Sequence, residues 1–291
     1  MSTFDACLPL LARDLPRVAL LKQSLEINFD ALGRCWVVVP DSEYEILKRQ
    51  FTAPYEVLPE SALFPKLHYY AWLSRLFHGR LRGLFPFHRQ RRYLLTGWYR
   101  QQLIKLGIAR LIGTGFYLTL DADVVCIKPT AHADLVNDGR AIVTTEPDDV
   151  HPEWYGHAER LLGFRRSGRN YGVTPSLLHR EGVLALQSHL ESRFRGAWWQ
   201  TLIRHTPWTE YTLYHTFMEG SGRWDSVHED GGAQGLYDTE ASFWWQGDHW
   251  SAEAALRGRA HFMVAQSNTG VPVETVRQHL EAAGVFTRAG S

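Results

Sequence analysis

Cysteine is scarce in this chain. Only Cys7, Cys35 and Cys126 occur among 291 residues. They are odd in number and far apart, which excludes a disulfide framework and any C-x2-C zinc spacing and fits reduced thiols in a cytoplasmic protein. Cys35 and Cys126 sit inside apolar runs and read as core residues. No apolar run approaches the ~18 residues that a bilayer span needs. The first residues, MSTFDACLPLLARD, lack the basic start and apolar stretch of a signal peptide. Excess charge is also missing: 31 Lys and Arg balance 31 Asp and Glu, so overall charge does not steer the chain toward nucleic acid. Neither G-x-x-x-x-G-K-[ST] nor an early G-x-G-x-x-G is present, and Gly231-Gly232-Ala233-Gln234-Gly235 stands too late and too isolated to cradle phosphate. What remains is a soluble globular chain, long enough for one large domain.

The patterning present is α/β. FDACLPLL, CWVVVP, YEVLP, GFYLTL and RAIVTTEP read as buried strands. RDLPRVALLKQSLEI, SEYEILKRQ (opened by Ser42 as N-cap) and GWYRQQLIKLGIARLIG (closed by Gly113) read as helices between them. Such alternation predicts a mostly parallel, Rossmann-like central sheet flanked by helices. Residues 151–225 turn helical and aromatic-rich, RAHFMVAQS reads as a late strand and VETVRQHLEAAG as a closing helix. We read residues 1–291 as one domain, with a nucleotide-binding half over 1–150 and an acceptor-binding half over 151–291.

Residues 64–100 form a basic and aromatic block. Lys66, Arg75, Arg80, Arg82, Arg89, Arg91, Arg92 and Arg100 interleave with Phe64, Tyr69, Tyr70, Trp72, Phe77, Phe85, Phe87, Tyr93 and Trp98, without an acid from Ser61 through Arg100. This block reads in three ways: a solvated helix face, a peripheral surface for membrane or lipid-diphosphate, or a lid over a bound ligand. Stacking rings with cations can also serve nucleic acid, but the balanced overall charge speaks against that.

Leu118-Thr119-Leu120-Asp121-Ala122-Asp123 carries the chemistry. A buried strand delivers two carboxylates, one residue apart, at its carboxyl end, where open α/β sheets bind ligands. On a continuing strand both would project to one side. Hard divalent cations such as Mg²⁺ or Mn²⁺ take one or two carboxylates plus substrate phosphates. The alternative is a pair of solvated turn acids, since an isolated D-x-D is a weak signal.

The run KLGIARLIGTGFYLTLDADVVCIKP resembles the core of GT-A glycosyltransferases, particularly the glycogenin-like and lipopolysaccharide galactosyltransferase-like enzymes, and the segments GWYRQQLIKL and TEYTLY look like those of bacterial polysaccharide-locus proteins. The resemblance implies a GT-A fold and a Mn²⁺- or Mg²⁺-dependent transferase that moves a sugar from a nucleotide-sugar donor to a saccharide or lipid-linked saccharide acceptor, as in surface polysaccharide synthesis. It implies that Asp121 and Asp123 hold the metal and diphosphate. Lys105, sixteen positions before Asp121 as in glycogenin-like sequences, would contact the donor; otherwise it is a surface helix lysine. Asn170 and Gly172, in Arg169-Asn170-Tyr171-Gly172-Val173, would lie against the donor sugar or simply form a turn. His261, before Phe262, would complete the metal site or sit in the core. Two segments depart from the family pattern: Thr209-Glu210-Tyr211-Thr212-Leu213 replaces its Asp-Gln-x-x-Leu-Asn, and Val264-Ala265-Gln266-Ser267 replaces its Lys-Pro-Trp.

Glu210 is the candidate second carboxylate at the anomeric centre, as a base or as a stabiliser of positive charge; the plain alternative is a helix N-terminal acid. Asp14, after the first strand, would accept from ribose or base, or else cap the helix that follows. A nucleotidyltransferase or phosphotransferase could use the same paired carboxylates.

Overall fold

The computed structural model describes residues 2–78, 95–146, 151–171, 174–232, 235–244, 250–267 and 269–287. Its central sheet has the order β3-β2-β1-β4-β8, built from Phe4–Pro9 (β1), Leu32–Val39 (β2), Tyr55–Pro59 (β3), Phe116–Thr119 (β4) and Ser176–His179 (β8). The first four strands are mutually parallel, and β8 runs antiparallel to β4. The fold class is therefore the expected one, mixed α/β with a mostly parallel sheet flanked by helices.

The period of two along each strand feeds two cores. Cys7, Trp36, Val38, Tyr117 and Leu178 face one, which holds the helices Gly97–Gly107, Pro152–Leu162, Arg180–Phe194 and Glu210–Gly220. Ala6, Leu8, Cys35, Val37, Leu118 and Leu177 face the other, against the helix Leu15–Asn28. Cys7, Cys35 and Cys126 are all buried and free, and burial pushes the Cys35 and Cys126 thiols up to about 12.

A second sheet pairs Phe243–Trp244 (β10), Phe262–Ala265 (β11) and Val124–Cys126 (β5). Small strands Val136–Asn137 (β6), Arg140–Val143 (β7) and His228–Asp230 (β9) make a third. The helix Val273–Ala282 and the β5–β11 face enclose a third apolar cluster around Val125, Met263 and Leu280.

Three local readings change. Ser42 does not cap a helix; Asp41–Glu43 form a 3-10 turn leading into the short helix Tyr44–Leu47. The helix opening at Gly97 ends at Gly107 rather than Gly113, where the chain tightens to a 3-10 turn over Ile108–Arg110. Gly107 packs against the Phe64 ring, and a Cβ there would fall 2.4 Å from Phe64 Cζ, so only glycine fits the contact. The sequence Asp121-Ala122-Asp123 is not a continuing strand. It turns, with the Asp121 carbonyl accepting from Val124 N at 3.2 Å, because β4 belongs to the central sheet and β5 to the second.

In the basic and aromatic block, Leu67–His78 is helical, and Tyr69 and Trp72 are exposed with their rings stacked. Arg100 is engaged by buried Glu60. Arg80, Arg82, Arg89, Arg91 and Arg92 lie outside the described residues. Among the described residues, no helix is long and apolar enough to cross a membrane.

Candidate active site

A cleft of about 530 Å³ opens at the carboxyl end of β4. Its size suits a small-molecule site. The Asp121–Asp123 turn forms one side. The helix Gly97–Gly107 presents Trp98, Gln101, Gln102 and Lys105 to it, at i, i+3, i+4 and i+7, a single helical stripe. Glu210 enters from the start of the helix Glu210–Gly220.

Local capping fixes Glu210. Thr209 Oγ1 accepts from Thr212 N at 3.0 Å, and Thr209 N donates back to Thr212 Oγ1 at 3.0 Å, a reciprocal box that sets the helix start. Glu210 N donates to Gln102 Oε1 at 3.2 Å. Glu210 is 1% exposed, so it is not a solvated helix-end acid.

Lys105 is likewise 1% exposed, not a surface lysine. Its Nζ lies 2.9 Å from Asp121 Oδ1 and 3.0 Å from Glu210 Oε1. It also donates to Thr174 Oγ1 at 2.7 Å. The ammonium thus faces three oxygens, Thr174 Oγ1 through a hydrogen bond and the two carboxylates as ion pairs. Tyr211 braces the arrangement: its hydroxyl stands 2.8 Å from both Thr119 Oγ1 and Thr174 Oγ1. Burial alone would push the Lys105 ammonium toward neutrality, but the facing Asp121 and Glu210 carboxylates hold it well above the usual lysine range. One ammonium is thereby shared by two carboxylates, and burial pushes Glu210 above the usual carboxylate range despite Lys105, with the Asp121 charge adding to the rise.

Asp123 is fixed by β11. Its carbonyl accepts from Ala265 N at 3.0 Å, and its Oδ2 accepts from Ser267 N at 2.9 Å. Burial, then the Asp121 charge, push its carboxyl up to about 6. Arg17 ties the first helix to the same edge by donating to Ala265 O and Val271 O. Asp14 lines the cleft. It occupies the N-cap position of Leu15–Asn28 but makes no side-chain cap bond; its Oδ1 lies 3.9 Å from Arg13 Nε at the cleft edge. Burial raises it above the usual range.

Two expected residues stand elsewhere. His261 does not join the carboxylates. The register of β11 on β5 sets Ala265 beside Asp123 and Phe262 across from Cys126. His261 precedes Phe262, so it sits about 13 Å along the strand from the Asp123 edge, at ~3.3 Å per residue, with its Nδ1 2.9 Å from Thr130 Oγ1. Gln266 and Ser267 line the cleft in its place. Asn170 is buried away from the cleft, its Oδ1 accepting from Arg166 Nη1 at 2.5 Å. Gly172 lies outside the described residues; Thr174, two positions on, is the part of that segment that lines the cleft. Sequence reasoning missed Thr174, Tyr211, Gln101, Gln102, Trp98 and Trp154, although the helical stripe from Trp98 to Lys105 was there to be found.

Among the described residues, no group of three or more His, Cys, Asp or Glu side chains forms a cage for a metal. The donor set does fit a hard cation finished by substrate. Among the described residues, four carboxylates line the cleft (Asp14, Asp121, Asp123 and Glu210) against one ammonium, Lys105. A diphosphate would be repelled there unless a cation came with it, and Mg²⁺ or Mn²⁺ asks only one or two carboxylates when phosphates and waters supply the rest.

A search of curated protein sequences matched none of them. Among solved structures, the galactosyltransferase LgtC, crystallised in complex with donor and acceptor sugar analogs, aligns over 99% of this chain and 98% of its own, with 9% sequence identity and a TM-score of 0.44. The match to a family profile is stronger in kind, extending over residues 1–287. The chain belongs to that family, DUF6492, a family of unknown function.

Proposed function

We propose that this protein is a GT-A-type glycosyltransferase that moves a sugar from a nucleotide-sugar donor to a saccharide or lipid-linked saccharide acceptor with Mn²⁺ or Mg²⁺. The observation that carries the reading is the sharing of the buried Lys105 ammonium between Asp121 and Glu210 in a cleft at the carboxyl end of a parallel strand.

Asp121 and Asp123 are the residues that would hold the cation, which when bound offsets charge on the departing nucleoside diphosphate. Asp14, uncapped and facing the cleft, accepts from the ribose or base. Glu210 faces the sugar's anomeric centre. Its raised affinity for a proton suits a base that deprotonates the acceptor hydroxyl, and its charge suits a carboxylate that stabilises positive charge on the sugar. Lys105 is buried between the two carboxylates, so its role is to position Asp121 and Glu210 and limit their repulsion rather than to reach the donor.

A panel of nucleotide sugars, each with and without Mn²⁺, read by thermal melting tests this. Ligand that binds only the folded state raises the melting temperature by mass action. One nucleotide class should raise it by several degrees with Mn²⁺ and barely without. No shift across the panel, or a shift confined to nucleoside triphosphates with pyrophosphate released, would overturn the reading in favour of nucleotidyl transfer or no transfer at all.

A further inference from the structure

The cleft has an aromatic end that the charged chemistry leaves unused. Trp98, Trp154 and His151 all line it. The two indoles come from different helices, Gly97–Gly107 and Pro152–Leu162. Their ring centroids are 5.6 Å apart with planes tilted by 35°, and His151 stacks on Trp154 at 3.8 Å. Trp98 is 40% exposed and Trp154 and His151 are half-buried. His151 covers one face of Trp154, while the exposed Trp98 ring borders the open cleft beside it.

Trp98 precedes Lys105 by seven residues on one helical stripe, about 10 Å at 1.5 Å per residue. The aromatic end is therefore set back from the Lys105–Glu210 pair by more than one sugar ring. Gln101 and Gln102 lie between. Gln102 Oε1 is used by Glu210 N, which leaves its NH₂ to donate. A flat apolar face flanked by amide groups suits a molecule with a C–H face and a rim of hydroxyls. A nucleobase would also stack on indole, but a smaller cavity of about 260 Å³ lies at the carboxyl ends of β1 and β2, lined by Pro9, Val38 and Asp14. That cavity shares Trp98 with the cleft but touches neither His151 nor Trp154.

We propose that Trp98, Trp154 and His151 form a saccharide-binding subsite that stacks on the C–H face of a pyranose and holds the acceptor end of the substrate. The acceptor assignment rests on the glycosyltransferase reading; the saccharide subsite does not.

The experiment is saturation-transfer NMR on the full chain with lactose, cellobiose, maltotriose and N,N′-diacetylchitobiose, beside the nucleotide-sugar melting panel. At least one saccharide should show transfer strongest at its ring C–H protons. Trp154→Ala should weaken that saccharide roughly tenfold, and Trp154→Phe, which keeps a ring, should retain most of the affinity and controls for folding. Saccharide binding without any nucleotide-sugar shift would uphold the subsite and overturn the transferase reading. A nucleotide-sugar shift with no saccharide signal in the wild type would overturn the subsite and uphold the transferase. Loss of the nucleotide shift in Trp154→Ala, with no saccharide signal in the wild type, would assign the rings to the nucleobase and overturn the subsite as well.

Discussion

Lys105 Nζ lies 3.0 Å from the Glu210 carboxylate, and both side chains are 1% exposed. From sequence, Lys105 reads as a donor-contacting residue whose removal harms binding more than folding. Its burial reverses that order. Lys105→Met leaves Glu210 buried without its counter-charge, a change that costs roughly 3–5 kcal/mol. Urea unfolding should show that loss, and Lys105→Met with Glu210→Gln should recover a substantial part of it. Strictly additive losses in the double variant would show that the two side chains are not coupled.

Asp123 ionises at a cost in the metal-free protein, because burial and the Asp121 charge push its carboxyl up to about 6. Asp123→Asn keeps an oxygen for Ser267 N and removes the charge. At pH 7–8 the metal-free variant should melt at or above the wild-type temperature while losing Mn²⁺-supported nucleotide binding. Wild-type Mn²⁺ dependence in the variant would remove Asp123 from the metal site.

His261 should be dispensable for metal. Its ring bonds Thr130 near the far end of β11, so His261→Ala should leave the affinity for Mn²⁺ and nucleotide within about twofold in a calorimetric titration. A tenfold loss, ~1.4 kcal/mol, would show that β11 shifts to bring the imidazole to the carboxylates.

Acid should destabilise the fold through a buried histidine pair. Trp224 Nε1, which can only donate, points at His215 Nδ1 at 3.1 Å, so that nitrogen must stay an acceptor. His228 Nε2 stands 2.7 Å from the Tyr214 hydroxyl. Burial lowers His215 well below the usual range and His228 to about 3. Between that value and the unfolded ~6.5, the unfolded chain binds protons that the folded chain refuses, so stability is full above about pH 6.5 and falls as pH drops below it. The raised Asp123 carboxyl opposes this over the same range, so the test is the difference between proteins: compared with wild type, His215→Gln should shift the change in urea midpoint from pH 7 to pH 5 toward stability by close to one proton. An unchanged slope in that variant would exclude His215 as a source of the acid sensitivity.

Much of this was legible along the chain where local pattern governs. Alternation placed β1 through β4, and the strand-terminal pair Asp121 and Asp123 marked the cleft because a buried strand needs a reason to end in acids. Glu210 was legible as a candidate, but its partner was not: 105 residues separate it from Lys105, and only the packing of two helices on one core joins them. The same gap explains His261. Its role hung on the register of β11 against β5, and Phe262 pairs with Cys126 rather than placing the histidine by Asp123. Period and composition do not encode that register. Thr174 and Tyr211 carry no motif of their own and become visible only through the oxygens they set around Lys105.

The most direct measurement is product analysis with purified protein, Mn²⁺ and the nucleotide sugar that shifts its melting, comparing wild type with Glu210→Gln. The wild type should release nucleoside diphosphate and transfer the sugar to an acceptor or to water. Glu210→Gln should bind the donor with similar affinity and turn over ~10²–10⁴-fold more slowly, the range for loss of an acid–base group. Release of pyrophosphate instead of nucleoside diphosphate, or wild-type turnover by Glu210→Gln, would contradict the account.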